Sequence, residues 1–125
     1  MHTVGRIDIE TYRCITDDIT TDEVIITSER IQHIQERHPG NYEKIEQFLR
    51  DALEAPDYIL EDKSPNSGLI LKMVEEDGMR FQMVLRLHTS VDDPAFKNSI
   101  ISAWGISESR WRNYVNNKKI LYKRE

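Results

Sequence analysis

Residues 23–53, EVIITSERIQHIQERHPGNYEKIEQFLRDAL, contain the patterns that decide the fold. The first five residues are mostly β-branched and predict a short strand. Thr27 or Ser28 offers a side-chain oxygen to cap a helix, which ends at residues 38–40 because proline disfavours helical geometry in the residue before it. Asn41 can cap a second helix, whose apolar residues recur at the spacing of an amphipathic helix. Those residues are Ile45, Phe48, Leu49, Ala52 and Leu53.

Strand patterns dominate the rest of the chain. Gly78 lies in a predicted hairpin turn, and Ser107 can cap a last short helix. Helices followed by an antiparallel meander predict an α+β fold, in which N-terminal helices pack on a small antiparallel β-sheet. The predicted strands cover residues 5–15, 23–27, 58–60, 69–74, 79–87, 99–106 and 119–122.

The composition predicts one soluble domain over residues 1–125. Hydrophobic residues make up 38% of the chain and charged residues 31%, which is ordinary for a globular protein. Its apolar runs fall short of the roughly 20 residues that cross a bilayer, and the N-terminus lacks the order of a signal peptide. The single cysteine, Cys14, excludes an internal disulfide and a cysteine-based metal site. We therefore expect a cytoplasmic protein without membrane contact.

The charge is unevenly distributed along the chain. The net charge of −5 argues against a nucleic-acid partner. Residues 97–125, however, hold seven Lys or Arg and two Glu, a local charge of +5, whereas residues 1–96 carry −10. This asymmetry permits a basic surface on an acidic protein, and it is equally compatible with a solvated basic tail.

The predicted first helix of residues 23–53 carries groups suited to work on a phosphate. Arg30, His33 and Arg37 fall within an arc of about 60° around the helix axis, away from the isoleucines that would face the core. Guanidinium groups hold anions and imidazoles move protons near neutral pH. His38 would lie at the helix exit, about 140° from His33, a poor arrangement for binding one metal ion. The alternative is a solvated surface helix.

The strands offer further candidates, each with a structural alternative. Lys72 is a cation in an apolar strand, either directed at an anion or extending to water from an edge. Arg86 would lie on the face opposite Phe81 and Met83, while His88 more simply ends its strand. Ser102 and Trp104 share a face, which suits a base stacked on the indole beside a phosphate held by the hydroxyl, or a core tryptophan.

Several short segments of the chain resemble those of phage-associated members of the barnase, EndoU, colicin and RelE-like ribonuclease superfamily. The resemblance runs in order over nearly the whole chain, and each matching segment is short. Ser102-Ala103-Trp104 is similar to the Ser-x-Trp element of colicin-type tRNases. The other matching segments are residues 23–27, 30–34, 37–39 and 56–59, Lys72, residues 98–102 and residues 120–123.

The resemblance implies a barnase- and RelE-like fold and metal-independent RNA cleavage without a cofactor, with transfer RNA a frequent target. The low overall basicity departs from typical RNA-binding enzymes. Partners expected of a toxin-like nuclease are RNA and a cognate inhibitor protein. The residues expected to act on the phosphate are His33, His38, Arg37, Lys72, Arg86 and Ser102, and those expected to bind the substrate are Arg30, Trp104 and Tyr122.

The leading hypothesis is therefore a metal-independent endoribonuclease, in which the 2′-hydroxyl attacks the phosphorus and leaves a 2′,3′-cyclic phosphate. The alternative is a non-catalytic α+β module that binds nucleic acid or a partner protein through the basic C-terminal region. The first hypothesis requires cations and imidazoles from distant parts of the chain to meet around one hollow.

Overall fold

A computed structural model describes residues 2–37, 42–74 and 78–124, with Arg37 and Tyr42 described by their backbone alone. Eleven elements follow one another in this part of the chain. They are β1 (His2–Arg6), α1 (Ile9–Tyr12), β2 (Glu23–Ile26), α2 (Ser28–Arg37), α3 (Tyr42–Glu54), β3 (Tyr58–Glu61), β4 (Ser67–Val74), β5 (Met79–Arg86), β6 (Asn98–Ile106), α4 (Glu108–Asn117) and β7 (Ile120–Lys123).

The strands form one seven-stranded sheet in the order β1-β2-β6-β5-β4-β3-β7. The α+β class is confirmed, but the expected small antiparallel sheet is wrong in size and in pairing, because β2 and β6 are parallel. The chain leaves β2 through α2 and α3 and forms three strands before β6 returns beside β2. A parallel pair requires such a long crossover, and a prediction made strand by strand does not reveal it.

The N-terminal segment differs from the predicted strand over residues 5–15. Asp8 accepts a hydrogen bond from the backbone N–H of Glu10 at 3.1 Å and caps α1. Tyr12 on this helix is fully buried, and its hydroxyl donates to the carbonyl of Leu53 at 2.8 Å. Burial raises the pKa of Tyr12 and of the Cys14 thiol, which lies in the turn after α1. A thiol with a raised pKa is a poor nucleophile, in keeping with a packing role.

The helices cover both faces of the sheet. The predicted apolar stripe of α3 is buried against the face formed by Ile70, Phe81 and Met83, and we call this the α3 face. On the opposite face, the α4 face, Trp111 and its neighbours in α4 pack on Leu71 and the leucines beside it. Gly78, in the predicted hairpin turn, has a φ of 60°, which glycine adopts without a steric penalty.

Candidate functional site

A hollow forms because β2 is much shorter than its parallel neighbour. β2 pairs with β6 only at Asn98 and Ser99, and beyond Ser99 the edge of β6 faces α2 instead. Thr27 starts this helix, since its hydroxyl accepts the backbone N–H of Arg30 at 3.3 Å. Ile101 is an extra residue in the β5–β6 ladder, and such a bulge re-aims the side chains around it. The edge of β6 therefore borders a space beneath α2.

The hollow has a volume of about 140 Å³. Arg30 and His33 of α2 form one wall, and Ser102 and Trp104 of β6 form the other. Four of the nine residues predicted for the site thus line one space, although β6 follows α2 by some sixty residues of sequence. Apolar side chains complete the lining, namely Ile34, Ile100, Ile101 and Ala103.

Arg30 and His33 lie on the exposed side of α2, while Ile34 is 3% exposed and packs in the core. Neither side chain has a hydrogen-bond or ion-pair partner among the residues that the structure describes. An unengaged guanidinium and imidazole beside a hollow can bind an anion and exchange protons with it. The exposed position of Arg30 and His33 beside the hollow is compatible with the prediction that this face of α2 acts on a phosphate.

Ser102 and Trp104 share the α4 face, as the alternation predicts. Across the ladder Ser102 lies opposite Val84, and Trp104 lies opposite Gln82. Gln82 is 2% exposed, and its Oε1 has no hydrogen-bond partner in the described part of the chain. Buried acceptors are usually paired, so this one marks an unusual polar position beside Trp104. The sequence pattern does not single out Gln82, because a glutamine in a central strand gives no signal of burial.

Lys72 lies away from the hollow. Its Nζ donates to the carbonyl of Ala55 at 2.7 Å and stands 3.9 Å from Asp57 Oδ1, with the side chain 13% exposed. It lines a separate cleft with Asp51 and Glu54, at the end of α3. β4 is an interior strand, so the edge position considered for Lys72 is wrong. The lysine instead satisfies a helix C-terminus and a carboxylate.

Arg86 and His88 are engaged in the loop between β5 and β6. Arg86 pairs with Asp92 at 3.0 Å and donates to the carbonyl of Leu87. The His88 ring is buried between the Thr20 hydroxyl and the carbonyl of Asp93, the latter at 2.8 Å from Nε2. Arg86 therefore does not line the hollow, and His88 lies in the loop, two residues after the end of β5.

Tyr122 lies on β7, at the opposite edge of the sheet from β1. Four strand spacings separate β7 from β6, about 19 Å at roughly 4.8 Å per spacing. Its ring packs against the buried cluster of the α3 face, away from Ser102.

His38 and the side chain of Arg37, both predicted for the site, lie outside the described residues. Of the predicted site residues, four line the same hollow, namely Arg30, His33, Ser102 and Trp104. Three others lie elsewhere in the fold, namely Lys72, Arg86 and Tyr122.

Within the described ranges, no group of three or more His, Cys, Asp or Glu is placed to hold a metal ion. Nor do those ranges contain a helix long and apolar enough to cross a membrane.

The chain was compared with protein families, curated proteins and solved structures. A family model described as phage-Barnase-EndoU-ColicinE5/D-RelE like nuclease 2 matches residues 1–123. The comparison with curated proteins and the comparison with solved structures each give no match. The family match covers nearly the whole chain and confirms the resemblance seen in the sequence.

Proposed function

Because the chain belongs to the phage-Barnase-EndoU-ColicinE5/D-RelE like nuclease 2 family, we propose that it is a metal-independent endoribonuclease whose site is the hollow between α2 and β6. The observation that carries the proposal is the meeting of Arg30, His33, Ser102 and Trp104 around this one hollow. These side chains supply a cation and a proton carrier, which stabilise charge and move protons in RNA cleavage without a metal, and a hydroxyl and a stacking surface that can bind the substrate.

The proposed reaction uses the ribose of the substrate as its own nucleophile. The 2′-oxygen attacks the neighbouring phosphorus and the bond from phosphorus to the 5′-oxygen breaks, which gives a 2′,3′-cyclic phosphate and a free 5′-hydroxyl. His33 takes the proton of the 2′-hydroxyl. His38, which follows α2 in the sequence, is the candidate that donates a proton to the leaving 5′-oxygen.

The remaining groups of the hollow act on the charge and on the base. Arg30 stabilises the negative charge that gathers on the phosphorane, and Arg37 is the second candidate for this role. Ser102 donates a hydrogen bond to a phosphate oxygen. Trp104 stacks the base next to the cleaved bond. The proposal assigns Lys72, Arg86 and Tyr122 no contact with the scissile phosphate.

Transfer RNA is the first substrate to test, because the Ser102-Ala103-Trp104 element resembles that of colicin-type tRNases. A toxin of this kind would be paired with an inhibitor protein that covers the hollow.

Cleavage of total RNA in EDTA, followed by analysis of the product ends, tests the proposal. We expect 2′,3′-cyclic phosphate ends and a rate that falls on the order of 10²- to 10⁴-fold in His33→Ala, since proton transfer contributes that much. Gln35→Ala, at an exposed position of the same helix, is the matched control and should cleave at the wild-type rate. Intact RNA with the wild-type protein, or equal rates in both variants, would contradict the proposal.

A second candidate function is a non-catalytic module that binds nucleic acid or a protein. The exposed cations of α4 and of the segment that follows it favour this alternative, because they can bind an anionic partner without histidine chemistry. Binding of RNA without cleavage, unchanged in His33→Ala, would support it.

A further inference from the structure

The hollow is small in comparison with the molecule that it is proposed to cleave. Its volume of about 140 Å³ lies well below the roughly 300–1,000 Å³ of typical ligand pockets. A pocket of this size encloses only part of one nucleotide, such as its base or its phosphate, so the rest of an RNA must lie on the outer surface. Because the net charge is −5, only a locally basic part of that surface can attract the other phosphates.

Helix α4 follows the strand that borders the hollow, and it crosses the sheet. It follows β6 directly, beginning four residues after Trp104, and leads to β7 at the far edge. Ten residues at about 1.5 Å each give a helix of about 15 Å. Since α4 packs over the leucines of β3 and β4, it connects the neighbourhood of the hollow with the opposite side of the α4 face.

The two flanks of α4 differ in their surroundings. One flank, with Glu108 and Arg112, adjoins Met73 and Arg80 near the β4–β5 hairpin. The other flank carries Arg110 and Tyr114, which line a shallow groove. Because the hairpin lies on the first side, the second flank lies on the side of Val84 and Ser102.

The second flank ends in two lysines. The Nζ of Lys118 lies 5.6 Å from the centre of the Tyr114 ring, and Lys119 follows as an exposed residue. We call Arg110, Lys118 and Lys119 the basic flank. Paired residues lead across the sheet from Ser102 to Ile120, the neighbour of Lys119, through Val84, Leu69 and Leu60. The basic flank therefore runs alongside this row of paired residues. The row spans four strand spacings, about 19 Å, between the hollow and β7.

The charges of the basic flank are not neutralised within the described part of the molecule. None of its three side chains has a carboxylate within ion-pair distance among the described residues, whereas Arg112 on the other flank pairs with Glu108 at 2.7 Å. Glu61, the acid nearest to Lys119 along the ladder, lies two residues from buried Ile59 and so belongs to the α3 face. The basic flank is thus a row of available cations.

We propose that the basic flank binds the phosphates of single-stranded RNA outside the cleaved nucleotide. This inference rests on the proposed function, because the hollow supplies the point from which the strand leaves. A single strand is required, since a base enters the hollow only when it is unstacked and unpaired. The substrate is accordingly an RNA loop or tail of several nucleotides, and a dinucleotide lacks the contacts made outside the hollow.

Salt-dependent binding tests this surface without relying on catalysis. The probe is a 2′-O-methyl oligoribonucleotide of about ten nucleotides, which cannot be cleaved and suits the site size of known single-strand binders. The test variant combines Arg110→Gln, Lys118→Gln and Lys119→Gln. The control variant combines Arg6→Gln, Arg13→Gln and Arg112→Gln, which removes the same charge from exposed arginines elsewhere.

We expect the slope of log K against log salt to become shallower by about 2 in the test variant, about 0.7 for each lost phosphate contact, and to stay unchanged in the control. Equal weakening in both variants would show a mere effect of net charge and would overturn the inference, as would a failure of the wild-type protein to bind the probe.

Cleavage of short and long substrates separates this inference from the proposed function. With a long single strand, the test variant should show a KM raised on the order of tenfold and a nearly unchanged kcat, since uniform binding is lost. With a dinucleotide, the test variant and the wild-type protein should be alike. Equal kinetics of the two proteins on the long strand would contradict the inference, whereas probe binding without any cleavage would contradict the proposed function alone.

Discussion

The hollow contains an arginine and a histidine, and so does the region formed by the end of β5 and the β5–β6 loop, but their contacts differ. In the loop, Arg86 is tied to Asp92 and His88 is buried between two oxygen partners. In the hollow, Arg30 and His33 project from α2 with no partner among the described residues. The polar groups of the loop hold its own conformation, whereas Arg30 and His33 of the hollow make no such contact within the described residues.

The largest effect expected in the loop is a loss of stability. His88→Ala removes both ring hydrogen bonds and the packing of a buried ring, while the Thr20 hydroxyl and the Asp93 carbonyl keep backbone partners. We expect it to lower the free energy of unfolding by about 2–4 kcal/mol. Urea denaturation measures this change. Cleavage per folded molecule should remain near that of the wild-type protein, and a selective loss of cleavage at unchanged stability would place chemistry in the loop instead.

A smaller effect, on cleavage, is expected from Ser102. Ser102→Ala removes the proposed hydrogen bond to a phosphate oxygen, worth about 1.5–3 kcal/mol, and should lower kcat on the order of 10- to 100-fold. Ser99→Ala is a matched control, because Ser99 lies on the same strand and donates its hydroxyl to the carbonyl of Lys97. If the two variants cleave equally well, Ser102 does not contact the reacting phosphate.

The smallest expected effect is a pH dependence of stability that arises from Asp92 in the β5–β6 loop and from Glu23 in β2. The Thr89 backbone N–H lowers the pKa of Asp92, and the hydrogen bond from Lys97 lowers the pKa of Glu23. A carboxylate with a lowered pKa in the folded state stabilises the fold above the ordinary carboxyl pKa of about 4, and that contribution is lost as the pH falls.

Unfolding measured between neutral and acidic pH should therefore show decreasing stability toward acid, with a weaker dependence in Asp92→Asn. An unchanged dependence in this variant would mean that the Asp92 contacts do not hold the loop in solution.

The elements whose signals are local could be predicted from the sequence. The stripe of α3, the Thr27 and Ser107 caps and the face shared by Ser102 and Trp104 depend on neighbours within a few residues. The position of the hollow could not be predicted, because it depends on β2 pairing with β6 over two residues only.

The contacts of Lys72 and Arg86 could not be predicted from the sequence either. Lys72 donates to the Ala55 carbonyl and lies near Asp57, and Arg86 pairs with Asp92. These contacts form only in the folded chain. A pattern of residue types shows which groups are able to bind a phosphate, and it does not show which of them the protein has already engaged.

The central claim is that the substrate occupies the hollow between α2 and β6. Its most direct test is an NMR titration of the histidine rings and the tryptophan indoles with the uncleavable 2′-O-methyl oligoribonucleotide. We expect the signals of the His33 ring and the Trp104 indole to shift with the same saturation curve, while those of the His88 ring stay unchanged. Saturable shifts confined to the His88 loop, or to the cleft around Lys72, would contradict it.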